Sequence, residues 1–176
     1  MKLGVDTDSL VVAKAREDFL QGRSGFYWQS WDNAAKYCLA HKTHLEEGLS
    51  FAQQSVSMQP GFANQWTQAG LLAALGKKDE AASTRDKAMA LATEADLNTL
   101  GYQQLQGGKL DDAIATFKKN VEQHPQSWNA CDSLAEAYVK KGDKKQALEL
   151  YGKALSMGPD ANNKSRIESE ISKLGG

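Results

Sequence analysis

One short interval occurs three times in this sequence: a glycine followed five residues later by an alanine. The copies are Gly76 to Ala81, Gly108 to Ala113 and Gly142 to Ala147. They lie 32 and 34 residues apart, and each continues into a lysine eleven residues after its glycine. Self-similarity at such a period indicates a repeat architecture. The period therefore constrains the fold class more than it constrains the function.

The last copy shows what one unit contains. Leu134, Ala135 and Tyr138 share the spacing of one helix face, and Gly142 is placed to end that helix, because glycine takes the left-handed cap conformation at no steric cost. A second apolar helix face consists of Ala147, Leu148, Tyr151, Ala154 and Leu155. Pro159 then ends the second helix. Each unit is thus predicted to be a helical hairpin.

This order of residues resembles the tetratricopeptide repeat. The predicted fold is all-α: a right-handed α-solenoid of helix-turn-helix repeats with flanking capping helices, forming a single domain over residues 1–176. Its predicted parts are an N-terminal helix and loop at 1–26, a divergent repeat at 27–60, further repeats at 62–93, 94–125 and 128–161, and a C-terminal capping helix at 162–174. In the N-terminal part, Asp8 and Ser9 are predicted to cap a helix from about Leu10 to Leu20.

A second resemblance is more specific than the repeat. The segments 25–39, with the sequence GFYWQSWDNAAKYCL, and 45–49, with LEEGL, look like the C-terminal helical half of an uncharacterised bacterial family. In that family a β-rich N-terminal domain of unknown function precedes the repeats. The resemblance implies a bacterial, exported parent protein, of which this chain is an interaction domain.

Composition excludes several classes of partner. The net charge of −1 and the pI of about 6.3 give no electrostatic footprint for nucleic acid. No apolar run reaches the roughly 18 residues of a membrane span. The opening residues carry no secretory signal, and they look like a cut inside a longer protein, so the sequence leaves the localisation open. Cys38 and Cys131 are predicted to be buried free thiols.

The first helices of a tetratricopeptide stack line a concave groove. By the repeat register, the predicted groove residues are Trp28, Trp31, Asp32, Trp66, Thr67, Asn98, Tyr102, Asn129, Asp132 and Glu136. Their tryptophans and tyrosine suit recognition, since aromatic anchors dominate interface energetics. Alternatively, Trp28 and Trp31 pack against the N-terminal helix.

The charges at these positions predict the kind of partner. Asp32, Asp132 and Glu136 are acidic, and Lys140 is the lone cation recognised near them, so an acidic C-terminal tail would find few donors. An apolar or basic peptide or protein is predicted instead.

No group of residues in the sequence predicts a catalytic or metal-binding site. His41, His44 and Cys38 lie close in sequence, but a fourth metal ligand is not evident and a solvated turn is the better interpretation. No catalytic residue, cofactor or metal site is predicted, and the chain is expected not to be an enzyme. It is expected to be a protein-binding scaffold. Two alternatives stay open: a module for self-association or for docking onto its parent's other domain, and a small-molecule-binding accessory domain of a larger enzyme.

Overall fold

A computed structural model describes residues 6–175 and, for residues 20 and 21, the backbone alone. Within this range the chain folds into ten α-helices and one short 3-10 helix, without a strand. The predicted all-α helical repeat fold is confirmed. No helix of the described part is long and apolar enough to cross a bilayer.

The helices follow one another as short, nearly equal elements. Their bounds are α1 Thr7–Gln21, α2 Trp28–His41, α3 Leu45–Met58, α4 Phe62–Ala74, α5 Lys78–Leu91, α6 Glu94–Gln106, α7 Leu110–Gln123, α8 Trp128–Lys141, α9 Lys144–Ser156 and α10 Ala161–Leu174, with the 3-10 helix at Arg23–Phe26 between α1 and α2. Four antiparallel hairpins pair α2 with α3, α4 with α5, α6 with α7, and α8 with α9. We call α2, α4, α6 and α8 the first helices.

The chain divides into two compact units, one ending at Ala92 and the other beginning at Thr93. The first unit contains α1 to α5. Its apolar core brings α1 together with the two hairpins, and it consists of Val12, Ala35, Cys38, Leu49, Phe51, Ala52, Leu71, Leu72 and Ala81. Gly48 of α3 lies so close to α2 that an added Cβ would stand 2.6 Å from the Cβ of Cys38. Small residues therefore set the spacing of this hairpin.

The second unit contains α6 to α10 around its own core. That core consists of Ala113, Ile114, Phe117, Cys131, Leu134, Ala135, Ala137, Tyr138, Ala147, Tyr151, Ala154 and Ile167. Gly142 ends α8 with a φ of 81°, the left-handed conformation that the sequence predicted for it. Asp160 caps α10 by accepting hydrogen bonds from the backbone of Asn162 and Asn163.

The start of α1 differs from the prediction. The helix begins at Thr7, and the carboxylate of Asp6 accepts from the backbone N–H of Ser9. Asp6 is thus the N-cap, two residues before the predicted pair Asp8 and Ser9, which lie inside the first turn. The sequence offers four polar residues in succession as possible caps, and their side-chain chemistry alone does not distinguish them.

Candidate binding surface

In the first unit, Trp31 belongs to an aromatic cluster with α1 and α3. Its ring centroid lies 4.6 Å from that of Phe19 and 5.8 Å from that of Phe51. Its indole N–H donates to the carbonyl of Gly25 at 3.0 Å. These contacts match the alternative interpretation, in which Trp31 packs against the N-terminal helix.

Trp28 lies beside exposed apolar side chains. It lines a pocket of about 260 Å³ together with Phe26, Tyr27 and Met58. Phe26 is 80% exposed and Tyr27 is 61% exposed, which is unusual for large aromatic residues. We call Phe26, Tyr27 and Met58 the aromatic patch.

Two predicted groove residues of this unit are internal. Asp32 is buried, and its carboxylate pairs with the ammonium group of Lys36 at 2.6 Å. Thr67 is also buried, and its hydroxyl donates to the carbonyl of Ala63 one turn earlier. Thr67 is hydrogen-bonded within its own helix, while Asp32 is paired through one oxygen and its other oxygen is enclosed without a hydrogen-bond partner. Neither side chain is open to a partner in this conformation.

Trp66 on α4 is half-buried. Its ring stacks on that of Phe62 with 5.6 Å between centroids, and the guanidinium carbon of Arg85 stands 5.9 Å from the ring centre. The distance is within the range of a cation–π contact. Trp66 thus offers a partly open aromatic face beside a cation.

In the second unit, Tyr102 connects two successive first helices. Its ring packs edge-on against Phe117 at 5.2 Å, and its hydroxyl lies 2.8 Å from the carboxylate of Glu136 and 3.2 Å from the hydroxyl of Ser133. Since the phenol has one proton, the charged acceptor Glu136 takes it. Burial raises the pKa of Tyr102 well above its usual range, Ser133 offsets part of this rise, and Glu136 adds to it. The group is therefore a fixed hydrogen-bond donor at neutral pH.

The two predicted groove asparagines of this unit, Asn98 and Asn129, lie on the same two helices, α6 and α8. Asn129 donates to the carboxylate of Glu94 at 3.2 Å, and the same carboxylate oxygen accepts from Ser127 at 2.7 Å. Asn98 is half-buried, and its side-chain oxygen is enclosed without a hydrogen-bond partner. Side chains of α6 and α8 therefore interlock along one surface.

Arg166 of α10 pairs with two predicted groove acids. One guanidinium nitrogen contacts the Asp132 carboxylate, and the other lies 3.1 Å from Glu136. Asp132 is only 3% exposed, and burial raises the pKa of its carboxyl despite the opposing effect of Arg166. The sequence interpretation named Lys140 as the nearby cation, whereas the structure gives that place to Arg166.

A sequence signal for Arg166 did exist. It directly precedes Ile167, the fully buried residue of α10, so it lies at the edge of the buried helix face. Arg166 also lines an open pocket of about 320 Å³, together with Glu136, Val139, Lys140, Tyr151 and Glu170.

In the first unit, the side chains of Ser9, His44 and Glu47 are arranged in a row that resembles a nucleophile beside a general base. The Ser9 hydroxyl lies 2.8 Å from Nε2 of His44, whose Nδ1 lies 3.8 Å from the Glu47 carboxylate. However, the Ser9 hydroxyl donates its one proton to the Asp6 carboxylate, so His44 must donate to Ser9 rather than accept from it. A general base has to accept that proton. The row therefore fastens the turn before α3 to the start of α1.

The residues from 6 to 175 contain no group of three or more His, Cys, Asp or Glu side chains arranged to hold a metal ion. Cys38 and Cys131 are both buried and free, as the sequence predicted.

The repeat model of one family matches part of the chain. Residues 104–166 match the tetratricopeptide repeat. This segment begins at the end of α6 and covers α7, both helices of the α8–α9 hairpin and the first part of α10. The match confirms the repeat type predicted for this part of the sequence. The resemblance to a bacterial family with a β-rich N-terminal domain stays a prediction.

Solved structures of helical repeat proteins are similar in fold. YrrB, described as a TPR protein with an unusual peptide-binding site, shares 17% identity at a TM-score of 0.49, over 94% of this chain and 85% of YrrB. MamA shares 16% identity at 0.46, over 89% of this chain and 96% of MamA. Pseudomonas aeruginosa pilF shares 14% at 0.47, over 84% of this chain and 67% of pilF. No curated protein matches the sequence. The similarity to these three structures concerns the fold alone.

Proposed function

We propose that the chain is a non-catalytic scaffold that binds a peptide or protein segment on the surface of its first helices. The observation that carries this proposal is the hydrogen bond between Tyr102 and Glu136, 34 residues apart on α6 and α8. It joins equivalent faces of two successive hairpins, so that their polar and aromatic groups form one surface. Repeat proteins use extended surfaces of this kind for recognition.

The available side chains define two anchoring points. In the first unit, the half-buried Trp66 presents an aromatic face next to Arg85. In the second unit, Tyr102 and Asn98 of α6 are half-buried, and the Tyr102 hydroxyl contacts Glu136, which shares the guanidinium group of Arg166 with Asp132. Half-exposed aromatic residues suit binding because they add apolar contact at a low entropy cost. We infer that an apolar or basic segment is the partner.

Capture of partners from the source organism's lysate tests this function. We expect the double variant Trp66→Ala, Tyr102→Ala to retain at most a tenth of the bound partner, since loss of two anchors of 1 kcal/mol or more each amounts to about tenfold or more. The control variant Lys87→Ala, Lys119→Ala changes two exposed lysines of second helices and should capture as much as the wild type.

Tyr102→Phe adds a variant that keeps the packing against Phe117 while removing the hydroxyl. Circular dichroism checks that each variant is folded. If the double variant and the wild type recover every partner equally, the first helices are not the binding surface.

The aromatic patch favours a second function, self-association or docking onto another domain of the same protein. Phe26, Tyr27 and Met58 expose apolar side chains around one pocket, and exposed apolar patches mark interaction sites. The small-molecule alternative gains less support, because Trp28 and Trp31 line different pockets and Trp66 lines neither of these.

Light scattering over a hundredfold range of concentration measures the self-association. If the patch pairs with a second copy, the mass rises with concentration in the wild type and stays monomeric in Phe26→Ser, Tyr27→Ser. A wild-type mass that stays constant and monomeric contradicts the self-association version.

A further inference from the structure

We propose that Asp132 and Glu136 of α8 form a subsite for an arginine side chain of a partner, and that Arg166 of the chain's own α10 fills this subsite until the partner displaces it. The inference rests on the proposed function and names the chemistry of the segment that it binds. Arg166 thereby acts as an internal substitute for the ligand.

The acids themselves require a cation. Asp132 and Glu136 stand four residues apart on α8, where like charges destabilise a helix. The Asp132 carboxylate is nearly fully buried, and one of its oxygens has no hydrogen-bond partner. A buried carboxylate without a counter-ion costs several kcal/mol. Two ionised carboxylates at this site therefore favour a positive group between them.

The geometry of the site favours arginine over lysine. One guanidinium nitrogen of Arg166 contacts Asp132, and the other contacts Glu136 at 3.1 Å. The planar fork of a guanidinium can serve two carboxylates at once, whereas an ammonium group is a point charge. Tyr102 fixes the Glu136 carboxylate from the other side through its hydrogen bond of 2.8 Å. The subsite is thus pre-arranged for a fork.

The site is also continuous with the proposed binding surface and open to solvent. Tyr102 belongs to both, because its hydroxyl contacts Glu136 and its helix carries Asn98. Arg166 keeps 38% of its side chain exposed and borders the pocket of about 320 Å³ with Val139 and Lys140. Residues that flank a partner's arginine therefore have space beside the subsite.

The attachment of α10 makes release of Arg166 feasible. Among the described residues of α10, Ile167 is the one that is buried, while Ile171 and Leu174 are partly exposed. Rotation or fraying of α10 around Ile167 would withdraw Arg166 without dismantling the α8–α9 hairpin. Elements that bury few apolar side chains open at low free energy, and sites that exchange partners are drawn from such regions.

Removing the Arg166 side chain from the subsite, in the full chain, tests the proposal. The variant is Arg166→Ala, and the probes are the peptide acetyl-Ala-Arg-Ala-amide and its citrulline analogue, which has the same shape without the charge. Titration is followed by shifts of the α8 backbone amides in NMR spectra. We expect the arginine peptide to bind Arg166→Ala at least tenfold more tightly than the wild type, and the citrulline peptide to bind neither.

Two further variants keep the outcome decisive. Arg166→Gln keeps a polar side chain with part of the arginine stem and replaces Arg166→Ala if the latter does not fold. Adding Glu136→Gln to either variant removes one carboxylate and should weaken binding of the arginine peptide about tenfold or more. Equal affinity for the wild type and the Arg166 variant, or equal binding of the citrulline analogue, overturns the proposal.

The experiments distinguish a failure of the proposed function from a failure of this inference. Loss of partner capture by the Trp66 and Tyr102 variant, together with no binding of the arginine peptide, keeps the scaffold and removes the arginine subsite. Arginine-peptide binding without any partner that depends on Trp66 and Tyr102 keeps the subsite and removes the proposed surface.

Discussion

Phe117→Ala is expected to lower the free energy of unfolding of the second unit by about 3–5 kcal/mol, the usual cost of removing a buried aromatic ring. Phe117 is fully enclosed, its ring meets that of Tyr102 at 5.2 Å, and it lies in the core between α6, α7 and α8. Its removal leaves a cavity in the layer where successive hairpins pack. Urea unfolding followed by far-UV circular dichroism measures the loss.

The repeat supplies a matched control for this substitution. Arg85 occupies the position in α5 that Phe117 occupies in α7, 32 residues later, and it is exposed. Arg85→Ala removes a contact with Trp66 worth about 0.5–1 kcal/mol at an exposed site. Equal losses for Phe117→Ala and Arg85→Ala would show that the phenylalanine does not hold the second unit together.

Gly101→Ala should destabilise the same layer, although alanine is the better helix former. A Cβ at residue 101 would lie 2.4 Å from the ring of Phe117, well inside contact distance, and the enclosed ring has little space to move. Overpacking of this kind costs about 1–3 kcal/mol, and replacing a glycine inside a helix gains roughly 1 kcal/mol. Because the contact is far inside van der Waals distance, we expect the cost to exceed the gain and the net loss in urea unfolding to reach about 2 kcal/mol.

Gly152→Ala is the control, because Gly152 lies inside α9 and an added Cβ meets nothing within 4 Å. It should stabilise the protein by about 0.5–1 kcal/mol. The cause of the loss at Gly101 is tested by repeating Gly101→Ala in a Phe117→Leu background, where the obstructing ring atoms are gone and the loss should shrink. A loss of unchanged size in that background would contradict the steric explanation.

The repeat period is sufficient to predict the fold class and the turns between the two helices of a hairpin. Gly142 ends α8 in the left-handed conformation, and α8 and α9 pack through small residues such as Ala135 and Ala147. These features depend on local rules: glycine permits a positive φ, and small residues permit close helices. Local rules are visible in a single sequence because they act within one unit.

The candidate surface was less predictable because its side chains depend on contacts far along the chain. Trp31 packs on Phe19 of α1, and Arg166 reaches Asp132 across 34 residues. The register places a residue on the surface of a first helix, but it does not say which distant side chain covers that residue. Predicted positions such as Trp31 and Asp132 are therefore engaged within the protein itself.

The two cysteines give each unit its own internal probe. Cys38 lies in the core of the first unit and Cys131 in that of the second, and burial raises the pKa of both thiols above its ordinary value. A thiol reagent reacts with the thiolate, so modification of either residue requires its unit to open. Because the sequence contains only these two cysteines, the mass and site of each adduct identify which half of the molecule opened, and how often.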